Sequence, residues 1–173
     1  MGTFANERVL QQFAEFTNLR EAGAPFGAAT SLGEIYRSLP AFSSAMRAHW
    51  LHEIENAGFT EADLDAVHAG VFAAGKRILR ILSNGESWDS DEIILVLTLR
   101  EEIGLIVDMW PVLTGSSLDY SCDEVDAAIL SLASGRKNRR LLQGALATIA
   151  SNTDPPVPDP FFSYVRQQLG TQI

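Results

Sequence analysis

Cysteine and long apolar runs are both scarce in this sequence. A single cysteine, Cys122, occurs in 173 residues, so no disulfide can form within the chain. Small secreted domains often depend on several disulfides, and a scaffold of that class is therefore excluded. The candidate membrane run, residues 93–97, is followed closely by Arg100, Glu101 and Glu102, and it is far too short to span a bilayer. We therefore expect no membrane-spanning segment.

The N-terminal residues lack the pattern of a secretory signal peptide. Charged side chains interrupt every apolar stretch there, at Glu7, Arg8, Glu15 and Arg20, and no basic segment precedes an apolar core. Together with the lone cysteine, this pattern leads us to expect a cytoplasmic protein.

Positive charge is also scarce. Thirteen Lys and Arg residues stand against twenty-two Asp and Glu residues, which gives a formal net charge of −9. Charge repulsion at distances within a Debye length disfavours general binding to nucleic acid or to an anionic membrane. An acidic surface also suits a protein that docks onto a basic partner.

Apolar residues recur at helical spacing along the chain, and no pair of strands joined by a turn is present. The sequence predicts an all-α fold, a single-domain bundle of about seven to eight helices with a buried central helix. Residues 1–150 are predicted to form the bundle. Residues 151–173 are predicted to form a Pro-rich connector and a short helix that begins at Pro160 and packs on the body.

Capping residues and helix breakers set the predicted helix boundaries. Ser31 with Glu34, and Ser121 with Glu124, have capping-box spacing. The glycine-rich stretch from residue 23 is expected to form a loop. The predicted helices before the connector cover residues 3–22, 31–39, 41–57, 60–83, 89–111, 121–135 and 136–150.

The three histidines lie close together in the sequence. His49 and His52 belong to the predicted third helix, and His68 belongs to the fourth. If these helices form a hairpin around residues 58–59, His49 and His68 lie at the same level, because the rise per residue is constant.

Two carboxylates accompany these histidines. Glu53 lies one turn from His49, and Asp65 lies one turn from His68. Zinc or iron accepts such a mixed set of ligands, so one interpretation is a metal or ligand site. The other is a pair of partly buried histidines held by hydrogen bonds. The candidate ligands are His49, His52, Glu53, Asp65 and His68.

Arg47 and His52 are separated by four residues, a spacing that resembles the signature of the HEPN ribonucleases, an all-α family of similar size. The resemblance implies an RNA-cleaving dimer in which two Arg/His pairs come together. It covers six residues, and Ala48 stands where the family usually has a polar residue.

A basic cluster opens the predicted seventh helix. Cations at a helix N-terminus face the positive end of the macrodipole, which costs a few tenths of a kcal/mol or more each. Free N–H groups at a helix start favour anions. This placement predicts contact with phosphate, a nucleic-acid backbone or an acidic partner surface. Four of the thirteen cationic residues form the cluster, namely Arg136, Lys137, Arg139 and Arg140.

Local charge compensation is the alternative interpretation of this basic cluster. Asp123, Glu124 and Asp126 lie on the predicted neighbouring helix and could pair with the cations. Such a solvated network contributes little net energy.

Catalytic motifs are missing from the sequence. It contains no phosphate-binding glycine loop, nucleophile elbow or CxxC pair, so no catalytic residue is assigned. The leading hypothesis is a helical binding or regulatory protein that works by contact with a macromolecular partner, expected to be a protein; candidates are an inhibitor, an immunity-type protein and a small adaptor. The competing hypothesis is a helical enzyme or ligand-binding protein centred on the histidines, with zinc or iron as its only candidate cofactor.

Overall fold

The computed structural model describes residues 2–83, 88–151 and 160–171, and it describes side chains for residues 7–83, 88–149 and 160–170. Within these ranges the chain forms eight α-helices and two short 3-10 turns, and no strand. The predicted all-α class is confirmed. None of the described helices is both long and apolar enough to cross a membrane. The helices are α1 (Gly2–Glu21), α2 (Pro25–Ser38), α3 (Ser44–Glu55), α4 (Glu61–Ser83), α5 (Ser90–Thr114), α6 (Asp123–Leu130), α7 (Arg136–Ser151) and α8 (Pro160–Thr171), and the 3-10 turns are Leu39–Ala41 and Ser131–Ser134.

The chain divides into two compact units, each made from two stretches of sequence. The first unit contains Met1–Phe72 and Gly104–Tyr120, and the second contains Ala73–Ile103 and Ser121–Ile173. Helices α4 and α5 therefore contribute residues to both units. The division predicted at residue 150 coincides with none of these boundaries. Residues 152–159 of the predicted connector lie outside the described residues.

Reciprocal capping bonds form at two of the predicted helix starts, residues 60 and 89, whereas α6 begins at Asp123 and the predicted capping box of Ser121 and Glu124 does not form. At the start of α4, the Asp63 N–H donates to Thr60 Oγ1 and the Thr60 N–H donates to the Asp63 carboxylate, each at 3.1 Å. Asp89 and Glu92 make the same reciprocal exchange at the start of α5. Each pair satisfies N–H groups that would otherwise lack partners at the helix start.

The predicted start of α2 is wrong. This helix begins at Pro25, whose fixed φ and missing N–H suit a first helical position. Only the turn around Gly23, with φ +75°, separates it from α1. Ser31 and Glu34 therefore lie in the middle of α2 and do not form a cap; Ser31 is buried.

The predicted end of α5 at Pro111 is also wrong. The helix passes through Pro111 and continues to Thr114. Pro111 is exposed and lies within one turn of the helix end. Its ring removes the N–H that would bond to the Val107 carbonyl, so the helix continues with one hydrogen bond fewer. Gly115, with φ +83°, then ends the helix, and its N–H donates to the Pro111 carbonyl at 2.8 Å.

The predicted burial of α5 is confirmed. Within the second unit its buried residues are Ile93, Val96, Leu97, Leu99, Arg100 and Ile103. Within the first unit they are Gly104, Leu105, Ile106, Met109 and Trp110.

A close backbone approach shapes the core of the first unit. A Cβ built on Gly33 of α2 would lie 2.6 Å from the Leu105 carbonyl oxygen of α5. No side chain larger than hydrogen fits at this distance, so the approach of the two helices here depends on Gly33.

An ion pair connects α5 and α6 within the second unit. Arg100 is 5% exposed, and its Nε donates to the Asp126 carboxylate at 2.6 Å. The Arg100 guanidinium also lies 4.8 Å from the centre of the Phe161 ring of α8, within cation–π distance. Phe161, Phe162, Val165 and Leu169 of α8 are buried, whereas Tyr164 is exposed.

Gly33→Ala should destabilise the protein by about 1–3 kcal/mol, because the new methyl group would overlap the Leu105 backbone. Gly144 in α7 is the matched control, since a Cβ built there meets nothing within 4 Å. We expect Gly144→Ala to raise stability by up to about 1 kcal/mol through helix propensity. Urea unfolding followed by circular dichroism measures both effects. Equal stability of the two variants would contradict the close approach.

Asp126→Ala should destabilise the protein by about 3–5 kcal/mol, because it removes the carboxylate that pairs with the buried Arg100 guanidinium. Asp123→Ala is the control: Asp123 is exposed in the same first turn of α6, so its loss removes only a helix-dipole contribution of about 0.3–1 kcal/mol. The same unfolding measurement compares the two. Similar losses would show that the ion pair contributes no more than a surface charge.

Candidate functional site

The basic cluster begins α7, as the sequence predicts. Gly135 before it is extended, with φ −107° and ψ 141°, and its carbonyl accepts the Arg139 N–H at 2.8 Å. Arg136, Lys137 and Arg140 are exposed. Within the part of the chain that the structure describes, none of these three side chains forms an ion pair or a hydrogen bond. They therefore present unneutralised positive charge.

Two adjoining clefts share Arg136 and Arg140 as lining residues. The first has a volume of about 470 Å³ and is also lined by Lys137, Leu141 and Gly144. The second has a volume of about 720 Å³ and continues past Gly135 towards Gln143. Among the described residues that line these clefts, none is acidic. An anionic group that enters either cleft meets only positive or neutral side chains.

The acidic residues of α6 have other surroundings. Asp126 pairs with Arg100. Glu124 lines a different cleft, together with Lys76 and Arg80. Charge compensation of Arg136, Lys137 and Arg140 by α6 is therefore not observed among the described residues.

Arg139 differs from the other members of the basic cluster. It is half-buried, and its guanidinium donates to the Leu169 carbonyl near the end of α8. Arg166 of α8 donates in return to the Leu146 carbonyl of α7 at 3.4 Å. These two bonds run in opposite directions between the helices, so Arg139 holds α7 and α8 together in addition to lining the second cleft.

The three histidines have separate partners. His49 is exposed, with its ring edge against Trp50 at 4.9 Å between centres. The exposed His52 ring lies 3.3 Å from the Asn56 amide nitrogen. His68 is half-buried, and its Nε2 lies 3.4 Å from the Asp119 carbonyl oxygen.

A metal site at these histidines is not supported. Among the residues described, no group of three or more His, Cys, Asp and Glu side chains could hold a metal ion. Of the two carboxylates proposed as ligands, Asp65 is exposed and Glu53 is half-buried. The alternative of a partly buried, hydrogen-bonded histidine describes His68 but not the exposed His49.

Arg47 and His52, the pair that resembles the ribonuclease signature, are both exposed on α3. The Arg47 guanidinium donates to Ser44 Oγ at 3.2 Å. No model of a known protein family matches the chain. No curated protein and no solved structure matches it either. The resemblance therefore still depends on these two residues and their spacing.

A buried polar pair in the first unit was not anticipated from the sequence. Gln12 of α1 is 7% exposed, and its amide nitrogen donates to the Glu34 carboxylate of α2 at 3.0 Å. The Gln12 carbonyl oxygen is buried and has no partner among the described residues. The two residues are twenty-two positions apart, so no local pattern could reveal the pair.

Burial raises the pKa of Glu34 above its ordinary value of 4.5, because desolvation penalises the carboxylate. The hydrogen bond from Gln12 opposes this shift. The nearby Glu15 carboxylate adds to it, and Arg8 and Arg37 oppose it. A protonated Glu34 carries an O–H group that can donate a hydrogen bond. The Gln12 carbonyl oxygen has no such donor among the described residues.

Glu34→Gln should raise the thermal midpoint at pH 7. A carboxyl whose pKa is raised by folding contributes most to stability below its ordinary pKa, and this contribution is lost as the pH rises through the raised pKa. Removing the charge prevents that loss. The midpoint difference between variant and wild type should therefore shrink from pH 7 towards pH 4. The exposed Glu55→Gln is the control, and a difference independent of pH would contradict the raised pKa.

Proposed function

We propose that this protein is a small helical binding protein of the cytoplasm that engages an acidic surface of a protein partner. The observation that carries the proposal is the set of three exposed cations, Arg136, Lys137 and Arg140, which lack partners among the described residues. Arg136 and Arg140 line both adjoining clefts and Lys137 lines the first, and none of the described lining residues is acidic. The classes of binding protein that we propose for it are inhibitors, immunity-type proteins and small adaptors.

The charge of the remaining chain favours a protein partner over a nucleic acid. Outside the basic cluster, nine cationic residues stand against twenty-two acidic ones. An extended polyanion that continued beyond the cluster would be repelled wherever it came within a Debye length, about 10 Å, of this negative charge. A confined acidic patch on a protein would not extend so far. No observation among the described residues favours the histidine-centred alternative.

Charge reversal of the three cations should weaken partner binding. We would place a photoreactive amino acid at Gln143, an exposed cleft residue, crosslink it in the cells that make the protein, and identify the captured protein by mass spectrometry. With the purified partner, R136E/K137E/R140E should weaken Kd by at least about tenfold, since a loss of about 1.4 kcal/mol is tenfold. Binding by the wild type should weaken as salt is added.

The matched control is K76E/R77E/R80E, which makes the same charge change at three exposed positions of α4. It should bind the partner about as tightly as the wild type. If both triple variants weakened partner binding equally, the effect would come from net charge alone. That result would contradict a binding site on α7.

A further inference from the structure

The exposed face of α7 extends beyond the basic cluster. Arg136, Arg140, Gln143 and Ala147 are exposed at helical spacing, and they lie along one side of the helix. A third cleft of about 410 Å³ shares Gln143 with the second one. The three adjoining clefts thus form a groove along α7, about 16 Å long at a rise of about 1.5 Å per residue.

The two ends of this groove differ in chemistry. Its first end carries Leu141 and the three cations that lack partners among the described residues, and its far end is lined by Leu146, Ala147 and Leu169. Arg166 also lines the far end, but its guanidinium donates to the Leu146 carbonyl. An occupant therefore finds three cations beside apolar surface at one end, and apolar surface with one hydrogen-bonded arginine at the other.

Gly144 lines the first cleft, and no contact with the described residues explains why it is glycine. Close neighbours explain why positions 33 and 70 are glycine. A Cβ built on Gly33 would overlap Leu105, and a Cβ built on Gly70 would overlap Phe26. Gly144 is exposed within a helix, and a Cβ there meets nothing within 4 Å. A glycine in a helix interior costs about 1 kcal/mol relative to alanine. The bare backbone at Gly144 leaves room for an external group to approach α7 closely.

We infer that this groove binds a short linear segment of the partner, with carboxylates at one end and apolar side chains at the other, packed over Gly144. The inference rests on the proposed function and specifies its partner. Phosphate chains such as RNA match only the cationic end, since they offer nothing to the apolar lining. A segment with both kinds of side chain matches the whole groove by charge and by apolar contact.

The test is a selection from a random library of peptides of about twelve residues, enough to span the groove in an extended or helical form. The full-length protein is the bait. Enriched peptides should carry Asp or Glu at one end and apolar residues at the other. A synthetic peptide from this set should bind R140E or G144L at least about tenfold more weakly than wild type, and K76E about as well as wild type.

Two further variants keep the result interpretable. Gly144→Ala should be at least as stable as the wild type, which separates an effect on the groove from a failure to fold. A synthetic peptide in which Lys replaces Glu should bind R136E/R140E more tightly than it binds the wild type. This exchange of charges would show that the cations meet the acidic end of the segment directly.

Each other outcome would overturn the inference. The inference is overturned if the enriched peptides do not have an acidic end and an apolar end. It is also overturned if R140E and G144L leave peptide binding unchanged. Displacement of the peptide by an equal concentration of a single-stranded oligonucleotide would assign the groove to polyanions. If no peptide is enriched but Gln143 still crosslinks a partner in a charge-dependent way, the proposed function is retained and the binding of a linear segment is rejected. If both assays fail, both proposals are rejected.

Discussion

The Arg100 guanidinium is a permanent charge inside the second unit, and its removal from water has to be compensated. A buried cation without a partner is strongly destabilising, so Asp126 must lie beside it. Phe161 covers it from α8. Since Asp126 belongs to α6 and Phe161 to α8, one side chain connects three helices. Helix α6 leads through a four-residue 3-10 turn and Gly135 into α7, so the start of the basic cluster follows from how α6 is fixed.

This ion pair also separates the charges of the second unit. Helix α6 carries Asp123, Glu124 and Asp126 in its first turn, where the macrodipole favours them. Helix α7 begins with cations, which the macrodipole disfavours. Because Asp126 is bound to Arg100, the most buried carboxylate of α6 is not available to the cluster. The result is a positive surface on an otherwise acidic chain, maintained against the local electrostatic preference of the helix.

Features encoded by neighbouring residues were predictable, and those created by distant contacts were not. Thr60 and Asp89 start their helices through side chains three residues away, so their roles could be read directly. The loop predicted from residue 23 is wrong. Gly33 is glycine because α2 packs closely against Leu105, a distant contact, and not because the chain turns there. The cluster at Arg136 was predictable as a run of charges. The bond from Arg139 to α8 and the pair of Gln12 and Glu34 could not be predicted, because their partners are thirty and twenty-two residues apart in the sequence.

The bond from Arg139 to the end of α8 has a thermodynamic consequence for the cluster. An anion that recruited Arg139 as a fourth cation would have to break the bond to the Leu169 carbonyl and so loosen the seating of α8 against α7. Linkage makes this coupling reciprocal, so firm seating of α8 weakens any such four-cation binding by the same factor. The seating of α8 therefore competes with any anion that draws the Arg139 guanidinium away from the Leu169 carbonyl.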